Sequence, residues 1–137
     1  MVNELLKAKI NAITLDNFST GHRDLLPGGI LVEGCLGDAG LLDNIFSTHH
    51  IDAVMHFAAY SLVGESVNNP LKYYRNKLAE TTELLDAMRR HSVERFIFSS
   101  TAAVFGEPEY VPIDELHPTA PINPYGKTKL MVEQLLE

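Results

Sequence analysis

Asp52-Ala53-Val54-Met55-His56-Phe57 and Arg95-Phe96-Ile97-Phe98-Ser99-Ser100-Thr101 are two apolar runs separated by the longest helical pattern in the chain. The first is continuous through Ala53, Val54 and Met55 rather than alternating, as expected of a strand covered on both faces. Between the runs, Asn69-Pro70 opens a helix on which Leu71, Tyr74, Leu78, Thr81, Leu85 and Met88 recur three and four apart. That spacing predicts a core-facing stripe, with Lys72, Arg75, Glu80, Glu83, Asp86, Arg89 and Arg90 mainly elsewhere on the wheel. Ala58 to Asn69, with Gly64, reads as the joining loop. Strand, helix and strand in this order make a right-handed crossover in a parallel sheet.

Toward the N-terminus, Val2 to Lys7 places Val2, Leu5 and Leu6 on one helical face, and Ile10 to Leu15 is an apolar strand ending in Asp16. Asn17 to Gly29 is rich in turn residues, and Ile30-Leu31-Val32 is a further short strand. Asp38 caps a helix whose Leu41, Leu42, Ile45 and Phe46 form an apolar stripe. Toward the C-terminus, Pro108, Pro112, Pro118, Pro121 and Pro124 mark a long loop, and Asn123-Pro124 starts a last helix that runs to Glu137. The alternation places the chain in the α/β class, as a Rossmann-like doubly wound parallel sheet. Such sheets open with a strand that runs into a glycine-rich turn, with an acidic residue about 20 residues further on to bind a ribose. Asp16 fits the acid, but only fifteen residues precede it and none is glycine. The expectation is therefore a partial NAD-binding domain over residues 1–137, lacking the first strand and glycine-rich turn and without a substrate domain. In the order 3-2-1-4-5-6, the strands around Ile13 and Val54 would then lack the neighbour between them.

Composition narrows the function classes. The 137 residues, 45% apolar and 21% charged, suit one globular domain. The net charge of −7 arises from 18 acidic and 11 basic residues scattered along the chain, which argues against a nucleic-acid surface. Cys35 is the only cysteine, so no intrachain disulfide forms and a reducing, cytoplasmic compartment is expected. No stretch reads as a signal peptide or reaches membrane-spanning length. The six histidines include His49-His50 but no metal-binding spacing such as H-E-x-x-H, so no metal site is expected.

Three residues could meet over one substrate carbon. Tyr125 lies in the first turn of the last helix, and Lys129 lies one turn along the same face. A nearby ammonium favours the phenolate, which is what a tyrosine needs to act as a general base. Thr101, at the carboxyl end of the strand through Phe98, could hydrogen-bond the reacting hydroxyl. A surface tyrosine beside a solvated lysine is the bland alternative for the pair, and a strand-end hydroxyl satisfying backbone groups is the one for Thr101. Their joint occurrence on this architecture favours chemistry. Asp16 could accept both hydroxyls of a ribose and would repel a 2′-phosphate, which favours NAD over NADP. His56 reads as a structural histidine, and Phe57-Ala58-Ala59 as a low wall suited to a flat cofactor.

On these residues the chain resembles the extended short-chain dehydrogenase/reductase family, and within it the nucleotide-sugar epimerases. The resemblance runs through Leu15-Asp16-Asn17 with Ser19, His56-Phe57-Ala58-Ala59, Val63-Gly64-Glu65-Ser66, Pro70 with Tyr73-Tyr74 and Asn76, Phe96 to Thr101, and Tyr125 to Glu133. It implies interconversion of UDP-glucose and UDP-galactose through a 4-keto sugar, with NAD bound and regenerated. It also implies roles: Tyr125 as the base, Lys129 holding the nicotinamide ribose and tuning Tyr125, and Thr101 aligning the 4-hydroxyl. Asp16, Asn17 and Ser19 would hold the adenosine end, with Phe57, Ala58, Ala59 and Asn76 lining the cofactor. A homodimer or other self-association is the expected assembly. Cys35, Ser61, Lys77 and Glu80 depart from the family pattern, which reads as relaxed constraint, and without the glycine-rich phosphate cradle this chain alone is expected to be inactive. A sugar-nucleotide dehydratase is the enzymatic alternative, but its T-D-E run is here Thr101-Ala102-Ala103, which provides no acid for elimination. The other alternative is a non-catalytic remnant that pairs through exposed strand edges.

Overall fold

The computed structural model describes residues 1–137. The elements follow in the order α1 (Val2–Lys7), β1 (Ile13–Asp16), β2 (Ile30–Glu33), α2 (Ala39–Thr48), β3 (Val54–His56), α3 (Val63–Asn68), α4 (Pro70–Tyr74), α5 (Glu80–Arg90), β4 (Phe96–Phe98) and α6 (Pro124–Leu136). Short 3-10 turns occupy Arg23–Leu25 and Ala102–Val104, and a π turn over Arg75–Ala79 joins α4 to α5. The helix starts are chemically marked. The Asp38 carboxylate accepts the Leu41 N–H at 3.0 Å, and the Asn123 side chain accepts the Gly126 N–H at 2.8 Å.

Leu42 from α2 packs with Leu84, Ala87 and Met88 from α5, and Leu15, Val54 and Phe96 close this core from the strands. The strands form two parallel pairs, with Ile13 opposite Ile30 in one and Val54 opposite Phe96 in the other. No ladder joins β1 to β3. The hydrogen bonds show which way each edge points. The Ala12 and Asp16 carbonyls accept from Ile30 and Gly34 at 2.9 and 3.1 Å. Backbone groups alternate sides along a strand, so Ile13 and Leu15 turn theirs away from β2. Likewise Val54 donates to the Arg95 carbonyl at 2.9 Å and the His56 carbonyl accepts from Ser99 at 3.1 Å, so Met55 turns away from β4. A mainly apolar cleft of about 1090 Å³ lies between the two pairs, lined by both strands and by α1.

Three expectations are corrected. Ala53 is exposed and Met55 only half-buried because the strand faces this cleft instead of being covered on both sides. The stretch taken as a loop contains α3. The long helix changes phase: its buried face is Tyr73, Lys77, Thr81, Leu84 and Met88, while Leu71 is 66% exposed. The π turn adds a residue to one turn, rotating everything on one side of it relative to the other.

Gly126 seats α6 on the turn after β4, and a Cβ there would stand 2.4 Å from the Ala103 carbonyl oxygen. Gly126→Ala should therefore lower stability by about 1–3 kcal/mol in urea unfolding. Gly40→Ala, where the Cβ would meet only the Asp38 carboxylate at 3.5 Å, should cost nothing.

Candidate functional site

The first turn of α6 is fixed from two directions. Gly126 lies against Ala103, bringing the Thr101 turn to the helix start, and the Tyr125 N–H donates to the Ser66 hydroxyl at 3.1 Å. Ser66 is fully buried and donates in turn to the Val63 carbonyl at 2.6 Å. Glu65, beside it, accepts from Lys72 at 2.5 Å and from the Tyr73 hydroxyl at 2.8 Å, and that hydroxyl also reaches the Leu62 carbonyl at 2.7 Å. Burial, reinforced by Glu65, pushes the Tyr73 phenol up to about 12. The run Val63-Gly64-Glu65-Ser66 with the tyrosines after Pro70 thus forms a bracket under the helix that presents Tyr125.

Lys129 sits one turn further along α6 and is buried. Its ammonium donates to the Ser99 carbonyl at 2.5 Å and lies 4.4 Å from the centre of the Phe98 ring. Burial pushes this ammonium below its ordinary range, with Glu133 opposing. The Thr101 hydroxyl oxygen accepts the Ala103 N–H at 3.2 Å, which leaves its proton free to donate. Tyr125, Lys129 and Thr101 therefore converge where β4 ends and α6 begins. His56, which ends β3, contacts the Thr81 hydroxyl at 3.1 Å and stacks on Phe98. Burial, and to a lesser degree Lys129, pushes its imidazole down to about 4, as suits a neutral structural histidine.

A second cluster lies at the carboxyl ends of β1 and β3. A pocket of about 200 Å³ brings Asp16, Asn17 and Ser19 together with Phe57, Ala58 and Ala59, and Asn76 closes it. Asp16 accepts the Phe18 N–H at 2.8 Å and Asn17 accepts the Ser19 N–H at 3.0 Å, which curls the chain after β1 around the pocket. Asn76 accepts the Tyr60 N–H at 3.0 Å and donates to Glu80 at 2.9 Å, tying the turn after β3 to the π turn. Burial raises the Glu80 carboxyl. Lys129 is not part of this lining. Tyr60 and Thr20 line it without having been singled out from the sequence, because neither belongs to a periodic pattern or a spaced motif. The donor set suits the ribose end of a dinucleotide: carboxylate, amides and a hydroxyl. It does not suit the phosphates, since no lysine or arginine lines the pocket.

No helix is long and apolar enough to cross a membrane. Residues 5–137 match the family described as GDP-mannose 4,6 dehydratase. A UDP-glucose 4-epimerase of Azospirillum brasilense is 51% identical over 99% of this chain and 39% of its own length. The crystal structure of UDP-glucose 4-epimerase from Brucella ovis in complex with NAD is 42% identical with a TM-score of 0.96, over 98% of this chain and 42% of that one. The corresponding structure from Bifidobacterium longum, with NAD+ and UDP, is 39% identical with a TM-score of 0.94, over 97% and 42%. The fold is therefore Rossmann-like, and the chain spans about two fifths of the length of the curated relatives it matches.

The Glu65 bracket makes a pH-dependent contribution. Lys72 and then Tyr73 hold its carboxyl below the usual range. Its stabilisation should be complete above an unfolded carboxylate's value near ~4.3 and fade as pH falls. Urea unfolding of wild type and Glu65→Gln should differ at pH 7 and converge toward pH 3.

Proposed function

We propose, because this chain belongs to the family described as GDP-mannose 4,6 dehydratase, that it forms the cofactor-and-base part of an NAD-dependent 4-epimerase of UDP-glucose and UDP-galactose, working in the cytoplasm. The observation that carries this reading is the convergence of Tyr125, Lys129 and Thr101 at the end of β4, beside a ribose-type pocket at the ends of β1 and β3. Two features favour epimerisation over dehydration. Thr101 is followed by Ala102 and Ala103, which offer no acid to expel a hydroxyl. The similar proteins named above are epimerases.

NAD, when bound, supplies a hydride acceptor that can return the hydride to the same sugar carbon. The chain's own residues do the rest. Asp16 accepts ribose hydroxyls and disfavours a 2′-phosphate, Asn17 and Ser19 shape that end, and Phe57-Ala58-Ala59 gives a flat wall beside Asn76. Lys129, held by the Ser99 carbonyl, keeps a charge near the phenol and can bond a nicotinamide ribose. Thr101 directs its free hydroxyl proton at the substrate 4-hydroxyl. Tyr125 takes the 4-hydroxyl proton and later gives it back, a role its bracketed backbone holds in place.

The pocket lacks a cation for the phosphates. Doubly wound sheets meet that need with a strand and glycine-rich turn at the position of the cleft between β1 and β3. The 137 residues by themselves should thus bind NAD weakly and lack epimerase activity. Calorimetry should give no saturable NAD binding, and tight binding would refute this part of the reading. Fused to a family strand and glycine turn and to a sugar-nucleotide domain, the chain should epimerise UDP-galactose, and Tyr125→Phe should lower kcat at least about 100-fold. Undiminished turnover would remove Tyr125 from its role. The outward-turned backbone of Ile13, Leu15 and Met55 also favours self-association of the isolated chain. Sedimentation should show a concentration-dependent dimer, and a stable monomer would count against it.

A further inference from the structure

Glu80 is the one carboxylate besides Asp16 in the pocket at the ends of β1 and β3. It stands where the π turn passes into α5, and its Cγ lies 3.5 Å from the place a Cβ on Gly37 would take, so it is carried against the turn that follows β2. Its Oε2 accepts the Asn76 amide at 2.9 Å, the one hydrogen bond that the carboxylate takes from the protein. Oε1 is left free. The other acceptors are partly used: Asp16 gives Oδ1 to the Phe18 N–H and keeps Oδ2 free, and the Cys35 sulfur, a weak acceptor, already faces the Asn17 amide at 3.5 Å. No basic side chain offsets the two carboxylates, and Leu15, Leu36, Phe57 and Ala58 give the pocket apolar wall. A ligand that fits must bring hydrogen-bond donors on more than one edge.

We propose that Glu80 selects the base in this pocket: its free carboxylate oxygen accepts an N–H of the exocyclic amine of adenine, while Asp16 accepts the ribose hydroxyls. This rests on reading the pocket as the adenosine end of NAD. The adenine amine is the donor that such a cofactor carries on its base at this end, whereas the nicotinamide belongs to the end where Tyr125, Lys129 and Thr101 converge. A carboxylate takes a charge-assisted hydrogen bond from an amine, but meets the oxygen of a 6-oxo purine as acceptor against acceptor. One group thus favours the amine and rejects the carbonyl. Asn76 orients it in advance, because its oxygen is fixed by the Tyr60 N–H at 3.0 Å while its NH2 holds Oε2.

Adenosine and inosine test this, since they share the ribose and differ in an amine or an oxygen at the 6-position. Neither carries a phosphate, so the lack of a cation in the pocket does not enter. The 137-residue chain, labelled with 15N, is titrated with each nucleoside while NMR follows the backbone signals of Gly37, Ala58 and Ala59. Adenosine should bind at least about 10-fold more tightly than inosine. In Glu80→Gln the side-chain oxygen keeps the Asn76 amide and an NH2 faces the ligand, so the preference should turn toward inosine. A change that merely loosened the pocket would weaken both nucleosides and leave their ratio as it was. Equal affinities in wild type, or the same ratio in Glu80→Gln, would overturn the proposal. Should Glu80→Gln not fold, 6-dimethylaminopurine riboside, which has no N–H to give, decides with the wild type: it should bind as weakly as inosine, and binding as tight as that of adenosine would overturn the proposal. Equal binding of adenosine and inosine, both weakened by Asp16→Ala, would leave the NAD reading standing without this role for Glu80. No saturable shift with either nucleoside would remove both.

Discussion

The close seating of α6 on the turn after β4 is the contact on which the arrangement of the Tyr125 cluster depends. Only a residue without a Cβ lets the helix approach the Ala103 carbonyl as Gly126 does. From that approach follow the placement of Tyr125 one residue earlier and the reach of Lys129 to the Ser99 carbonyl one turn later. Ser66 then locks the backbone of Tyr125 from the opposite side. The Tyr125 phenol is thus aimed by backbone contacts, while its own hydroxyl stays free of them. A base whose hydroxyl had to serve as a structural hydrogen bond would be less available to a substrate.

The same seam concentrates positive charge at low exposure. Lys77 and Lys129 are both buried, and neither has a carboxylate bonded to its nitrogen. Burying an unpaired ammonium is costly, and burial accordingly pushes both groups below their ordinary range, Lys77 to about 7. His56 shows the contrasting solution: buried between aromatic rings, it meets the Thr81 hydroxyl and remains neutral. Tyr73 shows another, where burial, reinforced by the Glu65 carboxylate, keeps the phenol protonated.

The sequence made the strands, the capped helices and the residues of both clusters legible because these depend on local rules. Asp38 and Asn123 cap because short polar acceptors before a helix do so, and Tyr125 with Lys129 share a face because four residues make about one turn. Of the pocket residues, Asp16 and Phe57-Ala58-Ala59 were reachable from strand ends, whereas Asn17, Ser19 and Asn76 came only from the family resemblance. The π turn was not legible. Regular spacing predicted Leu71 and Leu78 toward the core, whereas the extra residue turned Lys77 inward, and no periodicity rule signals where a helix will take that extra residue. The structural meaning of Glu65 and Ser66 was hidden for a related reason. Their partners, Tyr73 and Tyr125, lie eight and 59 residues away and meet them only after α3, α4 and α6 have packed.

On the proposed function, the pocket and the cleft would divide the recognition of one cofactor between different kinds of group. A dinucleotide presents neutral ribose hydroxyls at one end and a doubly negative pyrophosphate in the middle. Carboxylates suit the hydroxyls and repel the phosphates, and this pocket contains Asp16 and Glu80 with no basic side chain to offset them. A chain of net charge −7 therefore gains nothing from long-range attraction in drawing such an anion. Backbone N–H groups at a helix N-terminus bind phosphate without a basic residue, because the peptide dipoles already point at it. The cleft between β1 and β3, with backbone groups of Ile13, Leu15 and Met55 turned toward it, is the place in this fold from which such a turn can reach the pocket. On the proposed function, Asp16 would select for ribose hydroxyls, and holding the phosphates would fall to backbone N–H groups rather than to basic side chains of this pocket.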